Sequence, residues 1–150
     1  MAPAPKFHWM TVRAFAHATE DRARVKQALA FAAGVDEAPE EEALEGHHKN
    51  VILALELSLK SGAARRLLER LAEAGLAARL AEECDRRMDE DGVFHLRLAK
   101  QDAYLGRLVV ASDEDAILVR AKVATYPADR ALALEALKGH LAALASRQPI

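Results

Sequence analysis

Cysteine occurs once in 150 residues, at Cys84, which excludes an internal disulfide framework and any zinc site built on paired thiolates. Glycine and proline are sparse, with 7 and 5 residues, and neither GxGxxG, a phosphate-cradling loop nor HExxH occurs. No apolar run approaches the roughly 20 residues that span a bilayer. The N-terminal MAPAPKFHW lacks the charged and apolar regions and the cleavage site of a secretory leader. These absences lead us to expect a cytoplasmic protein with no membrane partner, no cofactor and no metal.

Hydrophobic residues make up 51% of the chain and charged residues 29%, an ordinary globular composition at a length that suits one domain over residues 1–150. Net charge is −2, but its distribution is uneven. Six acids and no Lys or Arg lie between Asp36 and Glu45, leaving 21 bases against 17 acids elsewhere, a net of +4. The chain reads as mildly basic with one acidic loop over about residues 35–46. That balance permits a polyanion-binding surface without demanding one.

Phe7–His17 alternates apolar and aromatic residues with period two and predicts a strand. Thr19 is placed to cap a helix carrying Val25, Ala28, Leu29 and Ala32, with Gly34 at its end. His48–Lys60 alternates cleanly, Val51, Leu53, Leu55, Leu57 and Leu59 on one side, and predicts a second strand. A helical stretch follows with Ser61 as its cap and a break at Gly75. Val93–Ala99, Arg107–Ala111 and Ala116–Thr125 predict a three-strand meander, and Asp129 opens a last helix with Leu134, Leu137, Leu141 and Leu144 on one stripe. The expected fold is α+β, a mostly antiparallel sheet with helices packed on one face, in the order β-α-β-α(α)-β-β-β-α. Short disordered tails are expected at 1–6 and 146–150.

Placing the apolar sets under the helices puts His95, Arg97, Arg120 and Lys122 on the opposite face. If His8, Met10, Val12 and Ala14 point inward, then Trp9, Thr11, Arg13 and Phe15 join those cations. Single-stranded RNA binders combine such groups, phosphates meeting Arg and Lys while bases stack on rings. Outward positions are polar in most strands, however, and Glu56 on the same face opposes an anion. Arginines 65, 66, 70, 79, 86 and 87 interleave with acids and read as a solvated helix face. No histidine lies four residues from another on a helix, and adjacent His47 and His48 point to opposite sides of a strand, so no metal ligand set is expected. A cleaving site drawn from His17, His95 and Lys100 has nothing in the sequence to fix it, and no catalytic residue is assigned. Cys84 reads as a core thiol.

The stretches "TVRAFAHATEDRARVKQAL", "EGHHKNVILALELSLK", "FHLRLAKQDAYLG" and "ILVRAKVATYPADRALALEAL" appear in this order over nearly the whole chain. In them the protein resembles the small archaeal RNA-binding proteins described as predicted exosome subunits. Their fold is similar to a double-stranded-RNA-binding domain or a five-S-rRNA-binding ribosomal protein. The resemblance implies an α+β fold, RNA as partner, and association with an RNA-processing or exosome complex. It carries over His17, Glu20, Asp21, Gly46, His48, Asn50, Arg97, Lys100, Gln101 and Gly106 as candidates. The connector from Arg97 to Arg107 adds Tyr104, which either stacks on a base or packs as a lid, and Arg107. The RNA-binding candidates are thus Arg13, His95, Arg97, Lys100, Gln101, Tyr104, Arg107, Arg120 and Lys122. One departure stands out: a duplex-binding domain has a lysine cluster at the start of its last helix, where this chain has only Arg130.

The reading that follows is a non-catalytic RNA-binding protein. Its rival is a protein-interaction module that buries the open sheet face, through Trp9, Phe15, Ile52 and Leu118, in a homodimer or a complex.

Overall fold

The first strand, β1 (Lys6–Ala16), sits at the centre of the molecule because both of its faces have work to do. Met10, Val12, Ala14 and Ala16 are buried, while Trp9, Thr11, Arg13 and Phe15 between them stay half-buried on the other side. The computed structural model describes residues 4–46, 50–112 and 115–147. His47 and His48 lie outside them.

Asp21 caps α1 (Arg22–Ala33) by accepting the Ala23 N–H at 2.9 Å, taking the role expected of Thr19. Gly34 ends the helix at φ +74°, and its N–H reaches the Ala30 and Phe31 carbonyls. Arg70 reinforces that end from another helix, donating to the Ala32 and Phe31 carbonyls with its guanidinium over the Phe31 ring. Desolvation lowers the Arg70 pKa from its ordinary value. Its placement corrects the expectation of a purely solvated arginine face.

The acidic stretch is not a loop throughout: Glu40–Glu45 forms a strand, β2, paired antiparallel to β3 (Val51–Ser58). EEEALE has no apolar alternation, so periodicity cannot reveal it. The strand exists because β3 offers an open edge, and its charges keep the new edge from recruiting other chains. Lys26 of α1 meets Glu41 at 3.0 Å and ties the inner side of β2 down.

Two helices follow, α2 (Ser61–Glu73) and α3 (Ala77–Arg87), broken at Gly75 with φ +80°. Lys60, not Ser61, is the N-cap of α2, and Ser61 is its first helical residue. β4 (Val93–Leu98), the short α4 (Lys100–Tyr104) and β5 (Ile117–Ala124) precede α5 (Arg130–Ser146), which Asp129 caps through the Ala131 N–H at 2.7 Å. The expected strand at Arg107–Ala111 shrinks to a bridge between Val110 and Leu98, with Ala99 N–H on Val109 O and Ala111 N–H on Arg97 O.

All sheet pairings are antiparallel, in the order β2-β3-β1-β5-β4. The fold class is as expected, α+β with the helices on one face. Under them lie Leu55 and Leu57 of β3, Phe94, Leu96 and Leu98 of β4, and Ile117, Val119, Ala121 and Val123 of β5. Leu67 and Leu71 of α2, Leu80 of α3 and Leu137 and Leu141 of α5 close the core, each burial contributing roughly 1.5–3 kcal/mol. Cys84 is fully buried, and desolvation lifts its thiol to about 11. A bulge between Phe7 and Trp9 alters one face assignment: Phe7 packs against the core and His8 is exposed, the reverse of strict alternation. Lys6 and Ser146 already belong to β1 and α5, so regular structure extends into both stretches expected as tails. Among the described residues no helix is long and apolar enough to cross a membrane.

Candidate nucleic-acid interface

Strand register decides which outward side chains meet. Glu40 pairs with Glu56, Glu56 with Arg13, Arg13 with Leu118, and Leu118 with Arg97. One transverse row across the open face therefore runs acid, acid, base, leucine, base. The adjoining row places Thr11 beside Arg120 and Arg120 beside His95, and Trp9 pairs with Lys122. The cations expected on this face are all there, His95, Arg97, Arg120 and Lys122 on the β5–β4 half and Arg13 on the central strand β1.

The aromatic side chains are paired with them. The Arg120 guanidinium carbon stands 5.5 Å from the centroid of the Trp9 indole, and that of Arg13 stands 5.0 Å from Phe15. Arg13 Nε is buried without a hydrogen-bond partner. Lys122 Nζ donates to Asp91 O at 3.0 Å. His95 Nε2 lies 2.9 Å from Asp89 Oδ2. Burial works against charge on Asp89, but His95 and the N–H groups of Val93 and Asp91 outweigh it and hold the carboxyl below its ordinary range. Arg97 is exposed, and among the described residues nothing is bonded to its guanidinium.

A groove of about 520 Å³ runs along β4 where these groups meet. Met88 bridges to Phe94 at one end of β4, and the segment ending at Ala111 lies along the other. Arg86, Arg87, Asp89, His95, Arg97, Leu118 and Arg120 line the groove. Arg87 is committed to Glu83 at 2.7 Å, whereas Arg86, which also meets Glu83 at 2.7 Å, is 71% exposed. Neither arginine was assigned to the site from sequence. The Met88–Phe94 bridge and the Asp89 N–H on Val93 O bring the end of α3 to the sheet edge, and no local pattern announces a bridge.

The connector residues occupy a different region. Lys100 is 11% exposed and its ammonium donates to Phe15 O at 2.8 Å, Asp115 Oδ1 at 2.9 Å and both Glu20 oxygens at 3.1 and 3.2 Å. His17 Nε2 adds a contact to Asp115 at 3.3 Å, and the His17 backbone N–H donates to Glu20 Oε1 at 3.0 Å. Burial opposes charge on Asp115, yet Lys100 and then His17 lower its pKa. His17, Glu20 and Asp115 bring metal-type donor atoms within 4.8 Å of one another, but the Lys100 ammonium already satisfies both carboxylates. This knot joins β1, α1, α4 and the approach to β5.

Tyr104 packs against the core with Arg24 over its ring at 5.5 Å, and exposed Gln101 shares a cavity of about 150 Å³ with it. Arg107 pairs with Asp102 at 3.2 Å and faces a groove lined by Arg66, Arg70 and Phe31. The candidates thus fall into two groups. Arg13, His95, Arg97, Arg120 and Lys122 share the open face, while Lys100, Gln101, Tyr104 and Arg107 lie around α4, beside α1 and α2. His17 and Lys100 converge on Asp115, while His95 is held by Asp89 in the β4 groove. Asp21 is the α1 cap, Gly46 donates to Asn50 O at 2.8 Å, and Gly106 takes φ +81°. Arg130 is committed to Asp85 and to the Met88 and Asp89 carbonyls.

A family model described as RNA binding matches residues 9–123, and the chain belongs to this family. It is 34% identical over 149 residues to an RNA-binding protein of Pyrococcus abyssi, with 92% of this chain and 96% of that one covered. Among solved structures, a DUF54 protein from Archaeoglobus fulgidus superposes with a TM-score of 0.80 at 32% identity, covering 91% of this chain and 99% of that one. A DUF54 protein from Methanothermobacter thermautotrophicus gives 0.79 at 34% identity, covering 90% and 98%.

Proposed function

We propose that this protein binds single-stranded RNA, without cleaving it, across the β5–β4 half of its open sheet face. The observation that carries the reading is the Arg120–Trp9 pair standing beside the β4 groove. It sets an aromatic platform next to exposed arginines, the pairing that unstacked bases and their phosphates require. Arg97 and Arg120 receive phosphates, Arg86 extends the track around the sheet edge, and Trp9 stacks a base. The membership in an RNA-binding family and the name of the Pyrococcus relative support the same reading. The resemblance to predicted exosome subunits extends it to work beside an RNA-degrading or RNA-processing assembly.

The proposed contacts make a test in salt. Each neutralised phosphate on a single strand contributes a slope of about −0.7 to log K against log salt. Three cations therefore give about −2. Fluorescence anisotropy with short single-stranded and hairpin RNAs between 50 and 200 mM salt measures it. A slope near −2 with preference for the single strand supports the site, and equal binding to a perfect duplex opposes it.

A further inference from the structure

The open face is electrically divided in a way that RNA binding alone does not explain. Its β2–β3 half carries Glu40, Glu42 and Glu56, and its β5–β4 half carries Arg97, Arg120 and Lys122. Strands lie about 4.8 Å apart, so the two ends of the Glu40–Arg97 row are separated by roughly 19 Å. That exceeds the Debye length of about 8 Å at physiological salt, and each half keeps its own potential. A surface used only to collect phosphates gains nothing from a row of glutamates at its far edge.

We propose that this face is self-complementary and that a second copy of the chain covers it. β1 is the middle strand of the five. A two-fold axis parallel to β1 lays the acidic half of one copy over the basic half of the other, and by symmetry the reverse pair forms as well. The strip between the charged halves holds half-buried Trp9 and Phe15 on β1, Ile52 on β3 and Leu118 on β5 as the apolar part of the interface, with Thr11 and Arg13 of β1 set among them. Sheets stacked in this way pack about 10 Å apart, within reach of glutamate and arginine side chains from opposite sides. The proposal rests on the RNA reading in one respect only: the dimer occupies the same cations that would receive phosphates, so RNA and a second copy compete. The acidic strand then acts as an internal rival for RNA, one that high salt weakens along with RNA itself.

The test uses two full-length variants, one with Glu42→Lys and Glu56→Lys, the other with Arg97→Glu and Arg120→Glu. All reversals are on the sheet surface, and circular dichroism checks that each variant folds. Sedimentation velocity on nucleic-acid-free protein should show a wild-type dimer at micromolar concentration. Each variant alone should associate at least 100-fold more weakly, because like charges then face each other in both halves. Mixed together they should recover a dimer, since a predominantly basic face then meets a predominantly acidic one. A wild type that stays monomeric at 100 μM, or a dimer indifferent to both reversals, overturns the proposal. RNA enters as a separate arm. Recovery of the mixed dimer with no RNA bound by any form leaves the self-association standing and defeats the RNA reading. RNA binding by a persistently monomeric wild type does the opposite.

Discussion

The ammonium of Lys100 lies 2.8 Å from the carbonyl oxygen of Phe15, 85 residues earlier in the chain, and spends its remaining donors on Glu20 and Asp115. A cation so placed is a tie between elements, not a free phosphate ligand. Lys100→Met should destabilise the protein by about 1–3 kcal/mol. That lies below the value for a fully buried pair, because Asp115 is 52% exposed. Chemical denaturation reads the loss. RNA affinity, measured where the variant remains folded, should change less than threefold.

Arg13 presents the opposite case. Its Nε is buried without a partner, a cost of about 1–3 kcal/mol, while its stacking on Phe15 returns about 0.5–1 kcal/mol. Arg13→Met should therefore leave the melting temperature unchanged or raise it by about 2–4 °C. A fall of similar size would show that the arginine is worth more to the fold than its geometry indicates.

Gly34 and Arg70 form a coupled pair. A Cβ at position 34 would come within 2.5 Å of Arg70 Nη1, and the residue's φ of +74° already disfavours any side chain. Gly34→Ala should cost about 1–2 kcal/mol, by strain and by dislodging the guanidinium that caps α1. In a double-mutant cycle with Arg70→Ala the two losses should fall short of additivity by at least 0.5 kcal/mol.

Acid should weaken the fold through particular carboxylates. Hydrogen bonds from Arg87 and Arg79 take Glu83 from an ordinary 4.5 to about 2, and Asp89 and Asp115 are also lowered. Each binds fewer protons folded than unfolded, so its contribution is complete above the unfolded pKa and lost as pH falls through the folded one. Thermal melts should hold steady above about pH 5 and decline toward pH 2. Glu83→Gln should lower the plateau and shallow that decline.

Much of this architecture can be read along the chain because burial on one side forces a period. The alternations at β1, β3, β4 and β5 and the stripe of Leu137, Leu141 and Leu144 on α5 are direct consequences of one covered face. What escaped has physical causes of its own. β2 borrows its conformation from the edge of β3 and buries almost nothing, so its sequence carries no apolar signal. The bulge after Phe7 swaps the sides of two residues, and a count by twos cannot anticipate it. The sheet-face cations follow from the strands that hold them. The α4 residues do not, because a five-residue helix turns Lys100 and Tyr104 toward α1 by contacts distant in sequence. Lys100, Gln101, Tyr104 and Arg107 looked continuous with Arg97 only because they follow it in the chain.

That separation supplies the decisive comparison. Two double variants, Arg97→Ala/Arg120→Ala on the sheet and Gln101→Ala/Arg107→Ala around α4, should be titrated against one short single-stranded RNA at fixed salt. The proposed site predicts at least a tenfold loss for the sheet pair and less than a threefold change for the α4 pair. Loss confined to the α4 pair would contradict the account and move the RNA to the other side of the molecule.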